Sequence, residues 1–170
     1  MDHDHVQALS VCQRALQIAT THQDMELLAL ARDNLGRPHV SLGAYTHAMD
    51  IYDQNIELLT GDLQYERFGM ALFLSVSARC FYSQCCAEIG MFAEGQRYMD
   101  EAIRIAEAKS HPHSLIRAYY INGCLALRQG CLARAIAALE RGLKICREAD
   151  IPILLPGPMF QLGAAYAPCA

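Results

Sequence analysis

Two pairs of histidines have the spacing that could bind a metal ion. His3 and His5 form one pair, and His111 and His113 form the other. Two histidines separated by one residue can chelate a transition metal on an extended segment, where alternate side chains lie on the same side. The pattern fixes no carboxylate or thiolate beside either pair. We therefore favour ordinary polar residues over a metal site at both positions.

Eight cysteines are the second group that could do chemistry, and Cys80, Cys85 and Cys86 form a local cluster. Neighbouring residues on a helix point about 100° apart, so this cluster cannot readily share one tetrahedral metal ion. No Cys-x-x-Cys pair occurs, which leaves a zinc ribbon or thioredoxin-type site without support. Most of the cysteines lie inside helical patterns. We expect small core residues in the reduced form, which is typical of a cytoplasmic protein.

Motifs for catalysis are absent from the sequence. Neither Gly-x-x-x-x-Gly-Lys-Ser/Thr nor His-Glu-x-x-His occurs. Carboxylates and arginines instead alternate at spacings typical of exposed ion pairs, as in Asp100, Glu101, Glu107 and Glu148 with Arg97, Arg104 and Arg147. We expect a protein that is not an enzyme and that has no cofactor.

The elements that must position these residues are indicated by a register of small residues. Gly36, Ser83, Gly123 and Gly163 follow one another at intervals of 47, 40 and 40 residues. The first three are each followed seven residues later by glycine, at positions 43, 90 and 130. A period in this range is typical of stacked helical hairpins.

Apolar residues at helical spacing predict three complete hairpins. The predicted helix pairs are 25–40 with 44–59, 67–89 with 92–109, and 113–129 with 132–149. Single helices are predicted before and after them, which gives units of 3–22, 24–60, 63–109, 111–149 and 156–167. An insertion around 61–68 explains the longer first interval, and the pattern leaves open whether it forms a helix or a loop. We expect one domain over 1–170 that is an interior piece of a longer protein.

Composition and charge exclude several classes of partner. The net charge of −4 provides no basic stripe for nucleic acid. Every apolar stretch is shorter than the roughly 20 residues that span a bilayer, and the first residues carry no secretory signal. These observations predict a cytoplasmic protein that binds neither nucleic acid nor membrane.

The repeat register resembles the tetratricopeptide family. An apolar residue follows each corner glycine by two positions, as Tyr45, Phe92 and Leu132, and a small residue follows three further on, as Ala48, Gly95 and Ala135. The units are longer than the usual 34 residues of the family. Segments 88–95, 101–106, 111–115 and 139–152 are similar to the long-repeat regions of multidomain bacterial signalling ATPases, cyclases and transcriptional regulators.

This resemblance implies a right-handed, all-α solenoid of about three antiparallel hairpins with a half-repeat at each end. It also implies a protein- or peptide-binding scaffold, serving as the regulatory or sensing region of a larger signalling protein. Projection of the helical repeat places seven residues on the concave face: Asp33, Arg37, Gln84, Glu88, Arg117, Tyr120 and Arg128. Cys80, Ala87 and Leu127 are predicted to lie between them. Arginine and tyrosine are efficient anchors for a peptide or a partner helix, although solvated residues would show the same pattern.

Self-association is the alternative function that the sequence supports. The first and last helices lack partners in the predicted hairpin scheme. Their apolar faces would then be uncovered, at Leu9, Leu16, Phe160, Leu162 and Tyr166. Such faces are typical of modules that form homo-oligomers.

Overall fold

Helices form all the regular structure of the described residues, as the sequence predicts. A computed structural model describes the backbone of residues 2–167 and the side chains of residues 7–167. Eight α-helices and no strand occur in this part of the chain. The helices are α1 (Asp2–His22), α2 (Met25–Ser41), α3 (Tyr45–Leu58), α4 (Leu74–Glu88), α5 (Phe92–Ala108), α6 (Pro112–Arg128), α7 (Leu132–Glu148) and α8 (Pro156–Tyr166).

Three pairs of helices turn at the predicted corner glycines. Gly43, Gly90 and Gly130 have φ angles of 75°, 81° and 77°, in the left-handed region that favours glycine. Each glycine lies between an even-numbered helix and the odd-numbered helix that follows it. The hairpins α2–α3 and α6–α7 begin and end within one residue of the predicted bounds. The corners therefore terminate helices where the repeat register indicates.

The prediction that α4 starts at Arg67 is wrong, because the helix begins at Leu74. Residues Gly61–Tyr65 form a 3₁₀ turn, and Phe68 and Gly69 both have positive φ angles. The backbone N–H of Leu74 donates to the carbonyl oxygen of Glu66, which folds this segment back on itself. The insertion is therefore a compact loop and does not lengthen a helix.

The small residues of the register accept side chains from neighbouring helices. A Cβ atom at Gly36 would overlap the ring of Tyr52 on α3, and one at Gly123 would lie 2.5 Å from Cγ of Leu139 on α7. Tyr52 and Leu139 are both fully buried. At Gly163 on α8, no other atom lies within 4 Å of the corresponding Cβ position. The three glycines of the register therefore mark two filled sockets and one open one.

Consecutive helices pack on each other along the chain, and the even-numbered helices also form a row. Within this row α2 contacts α4, α4 contacts α6, and α6 contacts α8. The largest core cluster lies between α4, α5 and α6 and includes Met99, Ile105 and Leu125. None of the described helices is both long and apolar enough to cross a membrane.

Candidate functional site

The seven predicted site residues all lie on the row of even-numbered helices. Asp33 and Arg37 are four residues apart on α2, as are Gln84 and Glu88 on α4, and spacings of three or four place side chains on one helix face. The other three, Arg117, Tyr120 and Arg128, lie on α6. Because α4 packs directly against α6, their exposed faces adjoin.

Between α4, α6 and α8 lies a depression of about 620 Å³, which we call the groove. Five of the predicted residues line it, together with Gln161 and Ala164 of α8 and apolar side chains of α4 and α6. The predicted five are Gln84, Glu88, Arg117, Tyr120 and Arg128. Ala87 and Leu127 also line the groove, whereas Cys80 is fully buried in the core and does not reach it.

Asp33 lies beneath this surface, and its role in the structure is to hold Arg37. The Asp33 side chain is 1% exposed, and its Oδ2 atom is 2.6 Å from Nη2 of Arg37. Its other oxygen, Oδ1, accepts a hydrogen bond of 2.7 Å from the Ser77 hydroxyl on α4. A buried carboxylate needs such partners. Asp33 therefore links α2 to α4 and fixes the Arg37 guanidinium, but it does not face solvent.

Phe81 on α4 is the residue of this surface that the sequence prediction missed. The guanidinium carbons of Arg37 and Arg117 lie 5.4 and 4.9 Å from its ring centroid, within the range of cation–π attraction. The ring of Tyr52 stacks on Phe81 with centroids 5.2 Å apart. Its position in the sequence, four residues after Ser77 and three before Gln84, is the signal that places it on the same helix face.

One ion pair crosses the groove from α4 to α6. Oε1 of Glu88 lies 2.6 Å from Nη2 of Arg128, and the two side chains are 20% and 54% exposed. This pair neutralises the charge at that end of the groove. Arg117 is different, because no aspartate or glutamate of the described residues forms an ion pair with it.

Tyr120 contributes a protonated hydroxyl to the groove. Burial raises the pKa of Tyr120 above its ordinary value, and the electrostatic effect of Cys124 raises it further. The phenol therefore stays neutral near pH 7 and can donate or accept a hydrogen bond. A half-buried tyrosine with an apolar ring and a polar tip suits a binding surface.

The cysteine cluster has no features of a reactive site. Burial raises the pKa of Cys80 and of Cys85 to about 12, and that of Cys86 to about 11. The thiolate is the nucleophile and the metal ligand, and these thiols remain protonated at neutral pH. All three residues are buried core residues, as the sequence predicts.

The histidines of the second pair have structural contacts. His111 precedes α6, and its Nδ1 atom accepts a 3.4 Å hydrogen bond from the backbone N–H of Ser114. Burial and, to a smaller extent, Arg67 lower the pKa of His111. The side chains of His3 and His5 lie outside the described residues. Among the described residues, no group of three or more potential ligands is placed to hold a metal ion.

Comparison of the chain with protein-family models gives no match, and comparison with curated proteins gives no significant match. The function of the chain must therefore be inferred from its own residues. Its central feature is the groove, with Tyr120 and Arg117 at its side and the Glu88–Arg128 pair at its end.

Proposed function

We propose that the chain is a non-catalytic scaffold that binds a protein or peptide in the groove. In this proposal the helices form a right-handed solenoid of tetratricopeptide-like hairpins, and the row of even-numbered helices is its concave side. The contacts from α2 to α4, α4 to α6 and α6 to α8 support that arrangement. The corner glycines and the filled sockets at Gly36 and Gly123 support the repeat on which it depends.

The observation that carries the proposal is the combination of side chains in the groove. Arg117 offers a guanidinium with no carboxylate partner, and Tyr120 offers a half-buried ring with a neutral hydroxyl. Ala87, Leu125 and Leu127 provide apolar surface next to them. Arginine and tyrosine are enriched among residues that dominate binding energy, and a groove between helices is a common peptide site.

A partner segment would place an acidic or carbonyl group against Arg117 and an apolar side chain against Tyr120. The net charge of −4 gives no reason to include nucleic acid among the partners. We propose a cytoplasmic setting within a larger signalling protein, in which this chain is the regulatory or sensing arm. The family resemblance of the repeats supports this setting.

Substitution of the groove arginines tests this function. A protein that is captured by the wild-type chain and binds it in purified form is titrated against Arg117→Ala and Arg128→Ala. Loss of one anchor residue costs roughly 1 to 2 kcal/mol or more, so we expect Kd to rise at least about fivefold for Arg117→Ala. Arg104→Ala, on the exposed face of α5, is the matched control and should leave Kd unchanged. Equal Kd values for all three variants would exclude the groove as the binding face.

Self-association is a second candidate, favoured by the apolar surface at the α8 end. Met159 and Phe160 are 53% and 75% exposed, and the preceding Ile153 is 83% exposed. Leu9, Leu16 and Leu162 are only half-buried. Burial of such surface against a second copy would be favourable by roughly 25 cal/mol per Å² before the cost of association.

Light scattering over a range of concentrations measures this association. We expect a mass that increases with concentration for the wild-type chain, because the exposed α8 side chains leave water on contact. The increase should be lost in Phe160→Ser. A constant monomer mass for the wild-type chain at high concentration would reject self-association.

A further inference from the structure

A second cavity, which we call the pocket, lies beside the groove and has a volume of about 380 Å³. Helices α2, α4 and α6 line it, and it is bordered by Leu154, from the 3₁₀ turn Pro152–Leu154, and by Pro158, from the start of α8. Its volume falls within the roughly 300 to 1,000 Å³ of small-molecule sites. The pocket shares Phe81, Arg117 and Tyr120 with the groove, but Arg37 and Ser77 belong to the pocket alone.

The pocket has an excess of positive charge. Arg37 and Arg117 both line it, and its described lining contains no aspartate or glutamate. The buried Asp33 neutralises Arg37 from beneath through the 2.6 Å ion pair. No aspartate or glutamate of the described residues forms such an ion pair with Arg117. One positive charge of the pocket is therefore uncompensated.

The surroundings of Arg117 distinguish it from the other arginines. Arg79 and Arg128 each form an ion pair with a glutamate, and unpaired arginines such as Arg104 and Arg147 are exposed to water. Arg32 is partly buried, but its guanidinium donates a hydrogen bond to the carbonyl oxygen of Gln54. Arg117 is only partly exposed, and its guanidinium lies over the rings of Phe81 and Tyr120 at 4.9 and 6.0 Å. A cation that has lost part of its hydration gains from an anionic ligand.

Apart from the two arginines and the polar side chains of Ser77, His113 and Tyr120, the described lining of the pocket is apolar. Leu72 and Ile116 line it together with Leu154 and Pro158, next to the aromatic ring of Phe81. A ligand that fills the pocket must therefore carry a single charged end and a larger apolar body. A phosphate dianion would bring a second negative charge into this lining, which has no second arginine or lysine without a carboxylate partner.

We propose that the pocket binds a small organic monocarboxylate with an aromatic or branched apolar body. The carboxylate pairs with the Arg117 guanidinium, which presents two N–H groups in the geometry that a carboxylate accepts. The apolar body packs against Leu72 and Leu154, which are only partly buried. This site goes beyond the proposed function, because binding of a protein partner uses the groove.

Titration with 4-phenylbutyrate tests the site, and 4-phenylbutanamide is the matched neutral probe. We expect the acid to bind the wild-type chain in calorimetry at submillimolar concentration and the amide to bind at least about tenfold more weakly, since only the acid pairs with Arg117. Arg117→Gln should weaken binding of the acid by a similar factor. Arg104→Gln, which removes an exposed arginine from α5, should leave it unchanged.

A second measurement uses the wild-type chain alone and does not depend on the folding of a variant. Methyl resonances of Leu72, Ile116 and Leu154 should shift on addition of 4-phenylbutyrate, and those of Val11 and Ile18 on the exposed face of α1 should not. Any of three results would overturn the proposal. These are equal affinity of the chain for the acid and the amide, resonance shifts confined to α1, and no binding of the acid at about 1 mM. Capture of a protein partner is measured separately, so failure of one proposal is distinct from failure of the other.

Discussion

Replacement of Arg37, whose side chain is 41% exposed, by methionine is expected to lower the free energy of unfolding by about 1.5 to 3 kcal/mol. The loss arises because the Asp33 carboxylate, 1% exposed, would keep only the hydrogen bond from Ser77. Removal of the partner of a buried carboxylate leaves an uncompensated charge, which is costlier than removal of both members of the pair. Urea denaturation at pH 7, followed by circular dichroism, measures the effect.

Two further variants separate the buried charge from other effects of the substitution. Lys144→Met removes one end of an exposed pair with Glu148, with the two side chains 63% and 61% exposed, and should cost less than about 1 kcal/mol. The double variant Asp33→Asn with Arg37→Met leaves no buried charge and should recover a large part of the loss. If Arg37→Met costs no more than Lys144→Met, the buried Asp33 carboxylate does not depend on its ion pair with Arg37.

Replacement of Gly36 or Gly123 by alanine is expected to destabilise the chain by about 1 to 3 kcal/mol through overpacking. The new methyl group would overlap Tyr52 at one position and Leu139 at the other. Alanine also gains up to about 1 kcal/mol of helix propensity over glycine. Overpacking dominates, because Tyr52 and Leu139 are fully buried and the Tyr52 ring is stacked on Phe81.

Gly163→Ala is the matched control, since it makes the same substitution at the same position of the repeat. No atom lies within 4 Å of its Cβ position, so only the gain in helix propensity acts, and stability should rise by up to about 1 kcal/mol. Thermal unfolding reads out all three variants, with a change of about 2 to 4 °C in Tm per kcal/mol for a chain of this length. A fall in Tm with Gly163→Ala as large as the fall with Gly36→Ala would contradict the socket explanation.

The helix boundaries that the sequence predicts well are those with local causes. The corner glycines and the helical spacing of apolar residues give α2, α3, α6 and α7 closely. The start of α4 was missed because Phe68, Met70 and Leu72 continue the apolar pattern through a loop. What ends that loop is a tertiary contact, in which the backbone N–H of Phe73 donates to the hydroxyl of Ser114 on α6. No local pattern contains such a contact.

The sequence likewise predicts only part of the candidate site. Helical spacing places Gln84 and Glu88 on one face of α4, and the repeat interval of 40 residues places Arg128 at the equivalent position of α6. The burial of Asp33 depends on Ser77, which lies 44 residues away in the sequence. The ring contacts of Phe81 likewise depend on Tyr52 and Arg117 from other helices. Side-chain depth and partner choice are tertiary properties, and the spacing of residues in the chain does not specify them.

The groove and the pocket share Phe81, Arg117 and Tyr120. A ligand bound in one of these cavities would therefore affect binding in the other. A small carboxylate paired with the Arg117 guanidinium would compete with an acidic partner for that cation. Thermodynamic reciprocity then requires that the bound partner lower the affinity of the chain for the carboxylate by the same factor. An arginine shared by two adjoining cavities would thus allow a small solute to alter the binding of a partner without a conformational change.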